Sequence, residues 1–158
     1  MIKSQFGFTL IELIVVIALM AVMSSVAIPM GLKVWQHRRL DSVSHRLWGA
    51  IRFTRHMAIE LQHDVALCAK SNSVASPLSW SHGWVVNDLI ALQPLRVYSS
   101  VPKATDIKWR GGFSSHECLS FNAYGFTHGQ QGRFILSIDN SPQTQQLVVS
   151  RAGRVRRA

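Results

Sequence analysis

Residues 7–29 read GFTLIELIVVIALMAVMSSVAIP, and the reading of the whole chain turns on them. From Phe8 to Ile28 the only polar side chains are Thr9, Glu12, Ser24 and Ser25. Wound as a helix at about 1.5 Å per residue, the stretch is roughly 31 Å long, the depth of one hydrocarbon core. Lys3 and the N-terminus precede it, so the positive-inside preference predicts a cytoplasmic N-terminus, with the remainder outside the inner membrane. A cleaved secretory signal is the rival reading, because Ser25 and Ala27 in SSVAIP offer a small-x-small site. Glu12 argues against it. A carboxylate at that depth costs about 2.5–3.5 kcal/mol on insertion scales unless it has a partner, so the segment implies a partner supplied from elsewhere.

The remaining chain has room for one modest domain. Of 158 residues, 47% are apolar, enough for a packed core. The charge is lopsided, with 17 Lys+Arg against 8 Asp+Glu, a net charge of +9 and a pI near 10.6. Such a surface attracts polyanions: nucleic acid, anionic lipid or lipopolysaccharide. Between Leu32 and Leu67 apolar residues recur at three- and four-residue steps (Leu40, Val43, Leu47, Ile51, Thr54, Ala58, Leu61), which predicts an amphipathic helix over 31–64. Arg38, Arg39, Arg46, Arg52 and Arg55 lie among them and read as a solvated face. The apolar stripe requires a sheet to pack on. From Val65 short β-rich runs alternate with Ser, Gly, Pro and Asn clusters, predicting strands at Val65–Cys68, Gly83–Val86, Leu92–Tyr98, Ile107–Trp109, Cys118–Phe121, Phe134–Ile138 and Gln145–Ser150. NAYG (122–125) and DNSP (139–142) read as turns, the second closing a hairpin. One long helix followed by antiparallel strands is an α+β pattern.

The quoted N-terminus resembles that of type IV pilins and type II secretion pseudopilins. The resemblance rests on Gly7, Phe8, Thr9, Leu10, Ile11 and Glu12, with Pro29 at the family's helix-kinking proline. It implies a leader, 1–7, cut after Gly7 by prepilin peptidase, and N-methylation of Phe8. It implies a membrane and fibre-core helix, 8–30, and pairing of Glu12 with the N-terminal amine of a neighbouring subunit. Further along, LWGAIRFTRHMAIELQHDVALC (47–68), WSHGWVVND (80–88) and LSFNAYGFT (119–127) resemble GspH and FimT proteins, with Asn87 where an apolar residue is common. That extends the resemblance over nearly the whole chain. It implies the GspH/FimT-like fold, a long N-terminal helix packed against antiparallel β-sheet, here 65–150.

No nucleophile, zinc-protease or phosphate-loop motif is present, and the acids are scattered, so neither a catalytic residue nor a cofactor is expected. His56 and His63 are seven apart without a third ligand nearby, so no metal site is expected. Trp48, Trp80, Trp84 and Trp109 read as core. Cys68 and Cys118 form no zinc or redox pattern. One disulfide is open to them in an oxidising compartment, and two buried thiols are the alternative.

The chain closes SRAGRVRRA (150–158), with four arginines and no acid after Ser150. The plainer reading is a frayed basic terminus. Against it, the cations are all arginine, whose planar fork meets phosphate with two hydrogen bonds. Gly153 also permits a tight turn, and a short returning strand would place Arg154 and Arg156 on one side. GRVR (153–156) resembles the G-R-x-R signature of FimT-type DNA-binding minor pilins. The resemblance implies a DNA-binding segment, 151–158, in which Gly153, Arg154 and Arg156 contact the phosphate backbone of double-stranded DNA, helped by Arg151 and Arg157. Lys103, Lys108 and Arg110 are candidates to extend the positive surface. The implied partners are duplex DNA, other major and minor pilins, prepilin peptidase and the inner membrane. The implied role is DNA uptake in natural transformation, against a purely structural GspH-type pseudopilin or a binder of anionic lipid.

Overall fold

The computed structural model describes residues 9–71, 77–112, 118–139 and 141–158, without the side chains of 26–29, 32 and 33. The expectations for Gly7, Phe8 and the Pro29 side chain lie outside the described residues. The chain forms two compact units, Met1–His37 and Arg38–Ala158. Helix α1, Leu10–Leu61, supplies the described part of the first unit and opens the second. Its backbone stays helical through Pro29.

In the first unit Thr9 starts the helix. Its hydroxyl accepts from the Glu12 N–H at 3.4 Å, the first half of a Thr-x-x-Glu capping box. The hydroxyls of Ser24 and Ser25 donate to the carbonyls of Met20 and Val22, both at 2.7 Å, so neither is left unpaired on an apolar helix. Large apolar side chains from Leu10 to Met23 are open to solvent all round. Among the described residues no helix is long and apolar enough to cross a membrane.

The second unit holds the core. Leu40, Val43, Leu47, Ala50, Ile51 and Ala58 are buried along one face of α1, with Ser44 and Thr54 among them. Thr54 satisfies its hydroxyl on the Ala50 carbonyl at 2.8 Å. Leu61, expected on this stripe, is the last helical residue and is exposed. The helix face packs on two four-stranded antiparallel sheets rather than one. They are built from β1 (Val65–Lys70), β2 (Ser79–Asp88), β3 (Pro94–Tyr98), β4 (Thr105–Gly111), β5 (Cys118–Phe121), β6 (Gly132–Ile138), β7 (Thr144–Val149) and β8 (Val155–Arg157). The strand orders are β3-β2-β1-β5 and β4-β6-β7-β8. Trp80, Trp84, Leu119, Phe121, Phe134, Leu136 and Leu147 complete one buried cluster. Each buried large apolar side chain contributes about 1.5–3 kcal/mol.

Most strands run past the expected bounds because pairing, not side-chain character, ends a strand. β2 reaches Asp88 opposite Val65. Two ends fall short: Ser150 leaves β7, which stops at Val149, for the following turn, and Leu92 is not in β3 but takes φ 53° in the β2–β3 turn. Asp88 organises that turn, its Oδ1 accepting from the N–H groups of Ile90 and Ala91 at 2.8 and 2.9 Å. Those bonds, Ala91's first, and His63 hold its carboxyl below the usual range against the upward push of burial. The two sheets meet at Ser81, whose hydroxyl donates to Asp106 at 2.8 Å and accepts from the Ile107 N–H at 2.9 Å. Cys68 lies inside β1 rather than ending it, directly opposite Cys118 of β5, and the two are bridged.

Candidate nucleic-acid interface

The C-terminal segment folds back as a hairpin. After β7, the Gly153 N–H donates to the Ser150 carbonyl at 2.9 Å, and the Ser150 N–H to the Arg154 carbonyl at 3.0 Å. β8 then pairs with β7, Val148 opposite Arg156 and Val149 opposite Val155. Even Ala158 donates its N–H to the Gln146 carbonyl at 3.1 Å. The backbone is therefore ordered to its last residue, and Val155 anchors it against the core.

Gly153 is required twice. Its φ of +70° is the left-handed region, and a Cβ there would run into the Gly125 carbonyl. Gly125 itself has φ +74°, and a Cβ on it would meet Ile59 and the Arg55 Nε at 2.8 and 2.9 Å. Two glycines thus let the 122–126 and 150–154 turns nest beneath Arg55. The carbonyl of Arg151 locks the pair, accepting from the N–H of Thr127 at 3.0 Å, while the Thr127 hydroxyl donates to the Gln130 carbonyl at 2.6 Å.

The five expected tail residues separate. Arg154 and Arg156 are exposed, and neither forms an ion pair among the described residues. Arg151 is exposed at the turn. Arg157 points elsewhere, 3.6 Å from Asp41 of α1. A half-exposed pair of this kind is worth about 0–1 kcal/mol, but it gives Arg157 a neutralising partner. Lys108 and Arg110 stand on β4, the far outer strand of the same sheet, with β6 and β7 in between, roughly 14 Å from β8 at ordinary strand spacing. Lys108 is also paired with Asp106 at 3.1 Å. Lys103 is in the loop before β4.

The arginines of α1 are not uniformly solvated, contrary to expectation. Arg46 is half-buried over Trp84, 5.1 Å from the ring centre, and reaches the carbonyls of Ser99 and Ser100; burial lowers its pKa. Arg55 donates from Nη1 to the Gly153 carbonyl at 3.3 Å. Arg52 lies 4.7 Å over the ring of Trp48, which is half-buried at the surface rather than fully in the core. Trp48, Arg52, Arg55, His56 and Ile59 recur at helical spacing, a second stripe beside the apolar one and the signal by which the sequence could have shown this wall. His56 and His63 do not share a helix face: α1 ends at Leu61, His56 faces Glu60 at 3.5 Å and His63 faces Asp88 at 3.5 Å. Among the described residues no cluster suited to a metal ion is present.

Residues 44–153 match the family model of the type II transport protein GspH, which takes in more than half of the chain. The chain belongs to the GspH family. Residues 2–28 of this GspH-family chain match the prokaryotic N-terminal methylation motif. Its fold is similar to that of the type IV minor pilin FimU of Pseudomonas aeruginosa (TM-score 0.64, 19% identity, covering 78% of this chain and 90% of that one). It is also similar to the minor pseudopilin EpsH from the type 2 secretion system of Vibrio cholerae (TM-score 0.57, 8% identity, covering 76% and 96%). At such identities the likeness is one of fold. No curated protein matches the chain.

Proposed function

We propose that the chain is a minor type IV pilin whose exposed domain binds extracellular DNA for uptake in natural transformation. In this reading prepilin peptidase cuts after Gly7, Phe8 is N-methylated, and the helix from Phe8 anchors the protein first in the inner membrane and then in the fibre. Glu12 pairs with the amine of a neighbouring pilin, which relieves the cost of a lone carboxylate in an apolar helix. The observation that carries the DNA reading is the ordered hairpin that presents Arg154 and Arg156 outward without carboxylate partners among the described residues. Contacts of arginine with phosphate position a duplex without reading its sequence, as uptake of arbitrary DNA requires. Affinity from one such module is weak, with dissociation constants of about 1–100 μM at physiological salt, and repeated copies along a fibre add avidity.

The test is a mobility shift of duplex DNA by the full chain in non-ionic detergent. Retarded DNA that is released by Arg154→Gln/Arg156→Gln supports the reading; equal retardation by that variant removes the site. A second reading is a minor pseudopilin of type II secretion with protein contacts only, favoured by the fold shared with EpsH. It predicts no retardation by the unaltered chain.

A further inference from the structure

The tail arginines form only one wall of a cleft. The opposite wall is the second stripe of α1, and between them lies an open cavity of about 450 Å³ bordered by Trp48, Arg52, Arg55, His56, Gly153 and Arg154. Three guanidinium groups from segments about a hundred residues apart in sequence border it, and among the described residues no carboxylate does. Resting on the DNA reading, we infer that Arg52 and Arg55 are phosphate-binding residues, and that nucleic acid is held across the cleft between α1 and the C-terminal turn rather than on the tail alone.

Three features carry this. First, both helix arginines are held in place before any ligand arrives. Arg52 is stacked on Trp48, which leaves the edge of its guanidinium to donate. Arg55 is fixed by the Gly153 carbonyl. Ordering a long side chain on binding costs about 0.5–1.5 kcal/mol, and a prior hold removes much of that cost. Second, Arg154 borders two neighbouring cavities. One faces α1, and the other is bordered by Val148, Ser150 and Arg156. The cations therefore follow one another as Arg52, Arg55, Arg154 and Arg156, a track suited to successive phosphates of a strand rather than to an isolated anion. Third, gathering like charges around one cleft raises the energy of the empty protein, and a polyanion relieves it. His56, the remaining polar group on the helix wall, lies 3.5 Å from Glu60 one turn on, which does not line the cavity.

The experiment measures duplex affinity by fluorescence anisotropy across a salt series, using the full chain in non-ionic detergent. Arg52→Gln is the main variant, because this exposed side chain takes no part in the core. Arg55→Lys is the second: it keeps the charge but loses the fork and the hold on Gly153. With an unchanged thermal midpoint, Arg52→Gln is expected to weaken binding several-fold and to flatten the slope of log K against log salt by about 0.9, one phosphate contact. Arg55→Lys is expected to weaken binding with little change in slope. Weakened binding on Arg154→Gln with no effect of Arg52→Gln overturns the two-walled cleft and leaves the tail site standing. No effect of either variant overturns both readings. Binding of phosphatidylglycerol vesicles in preference to duplex at matched ionic strength overturns the choice of nucleic acid as occupant.

Discussion

The two outer strands of the second sheet both carry basic residues, and the structure treats them differently. On β4, Lys108 sits against Asp106. Burial pushes the Asp106 carboxyl up, but the hydrogen bond from Ser81 and the Lys108 ammonium outweigh it and hold the carboxyl below its usual range. On β8 and its turn, Arg154 and Arg156 point outward without such a partner among the described residues, and Arg157, with Asp41, is the exception. Charges on an outer strand have an ordinary purpose, since they discourage pairing with another sheet edge. Both strands meet that need. Both sides also have a glycine that a Cβ would clash with, Gly111 on β4 and Gly153 before β8. Only the β8 side adds a glycine at positive φ, a nested turn and a facing stripe of arginines. In the proposed reading, basic residues alone therefore do not mark the site; unneutralised ones beside a facing stripe of arginines do.

The largest expected effect separates the two edges directly. Arg154→Gln/Arg156→Gln should lower duplex affinity more than tenfold at moderate salt and flatten the salt slope by about 1.8. Lys108→Gln/Arg110→Gln should leave the slope nearly intact, as anisotropy would show. Equal losses from the two pairs would mean that net charge, and not placement, drives binding.

Next is a pair of glycines. Gly153→Ala forces a left-handed φ on alanine, about 1–2 kcal/mol, and adds the clash with Gly125. It should lower the thermal midpoint by several degrees and weaken DNA binding. Gly112, just past β4, has open space around it, so Gly112→Ala should change neither. A smaller effect is expected for Arg157→Gln, which loses a surface pair worth about 0–1 kcal/mol. Its duplex affinity should fall less than that of Arg154→Gln.

The last sharpens the β4 side. Asp106 has a depressed folded pKa, so its stabilisation is full above about pH 4, the ordinary Asp value, and is lost as the pH falls through the folded value. Asp106→Asn should therefore flatten the loss of thermal midpoint in acid below about pH 4. A wild-type midpoint insensitive to pH in that range would contradict the role given to Ser81 and Lys108.

Much of the fold was legible because it rests on periodicity. The stripe from Leu40 to Ala58 was read correctly from its spacing, and Cys118–Phe121 matches to the residue. The division into two sheets was not legible, because partner choice depends on contacts between distant strands. Leu92 was misplaced because its apolar side chain hides a backbone set by the Asp88 turn. At the site, Gly153 and the outward pair Arg154 and Arg156 were visible as turn chemistry and alternation. Arg157 was set apart only as a helper, and its pairing with Asp41 was not visible because that partner is far away in sequence. Arg52 and Arg55 were passed over as solvated because only the folded turn shows what they face.

The most direct test is the salt dependence of duplex binding by the full chain and by Arg154→Gln/Arg156→Gln. Four phosphate contacts, at Arg52, Arg55, Arg154 and Arg156, predict a slope of about −3.6, falling to about −1.8 in the variant. A slope near zero in the unaltered chain, or one that the variant leaves unchanged, would contradict the account.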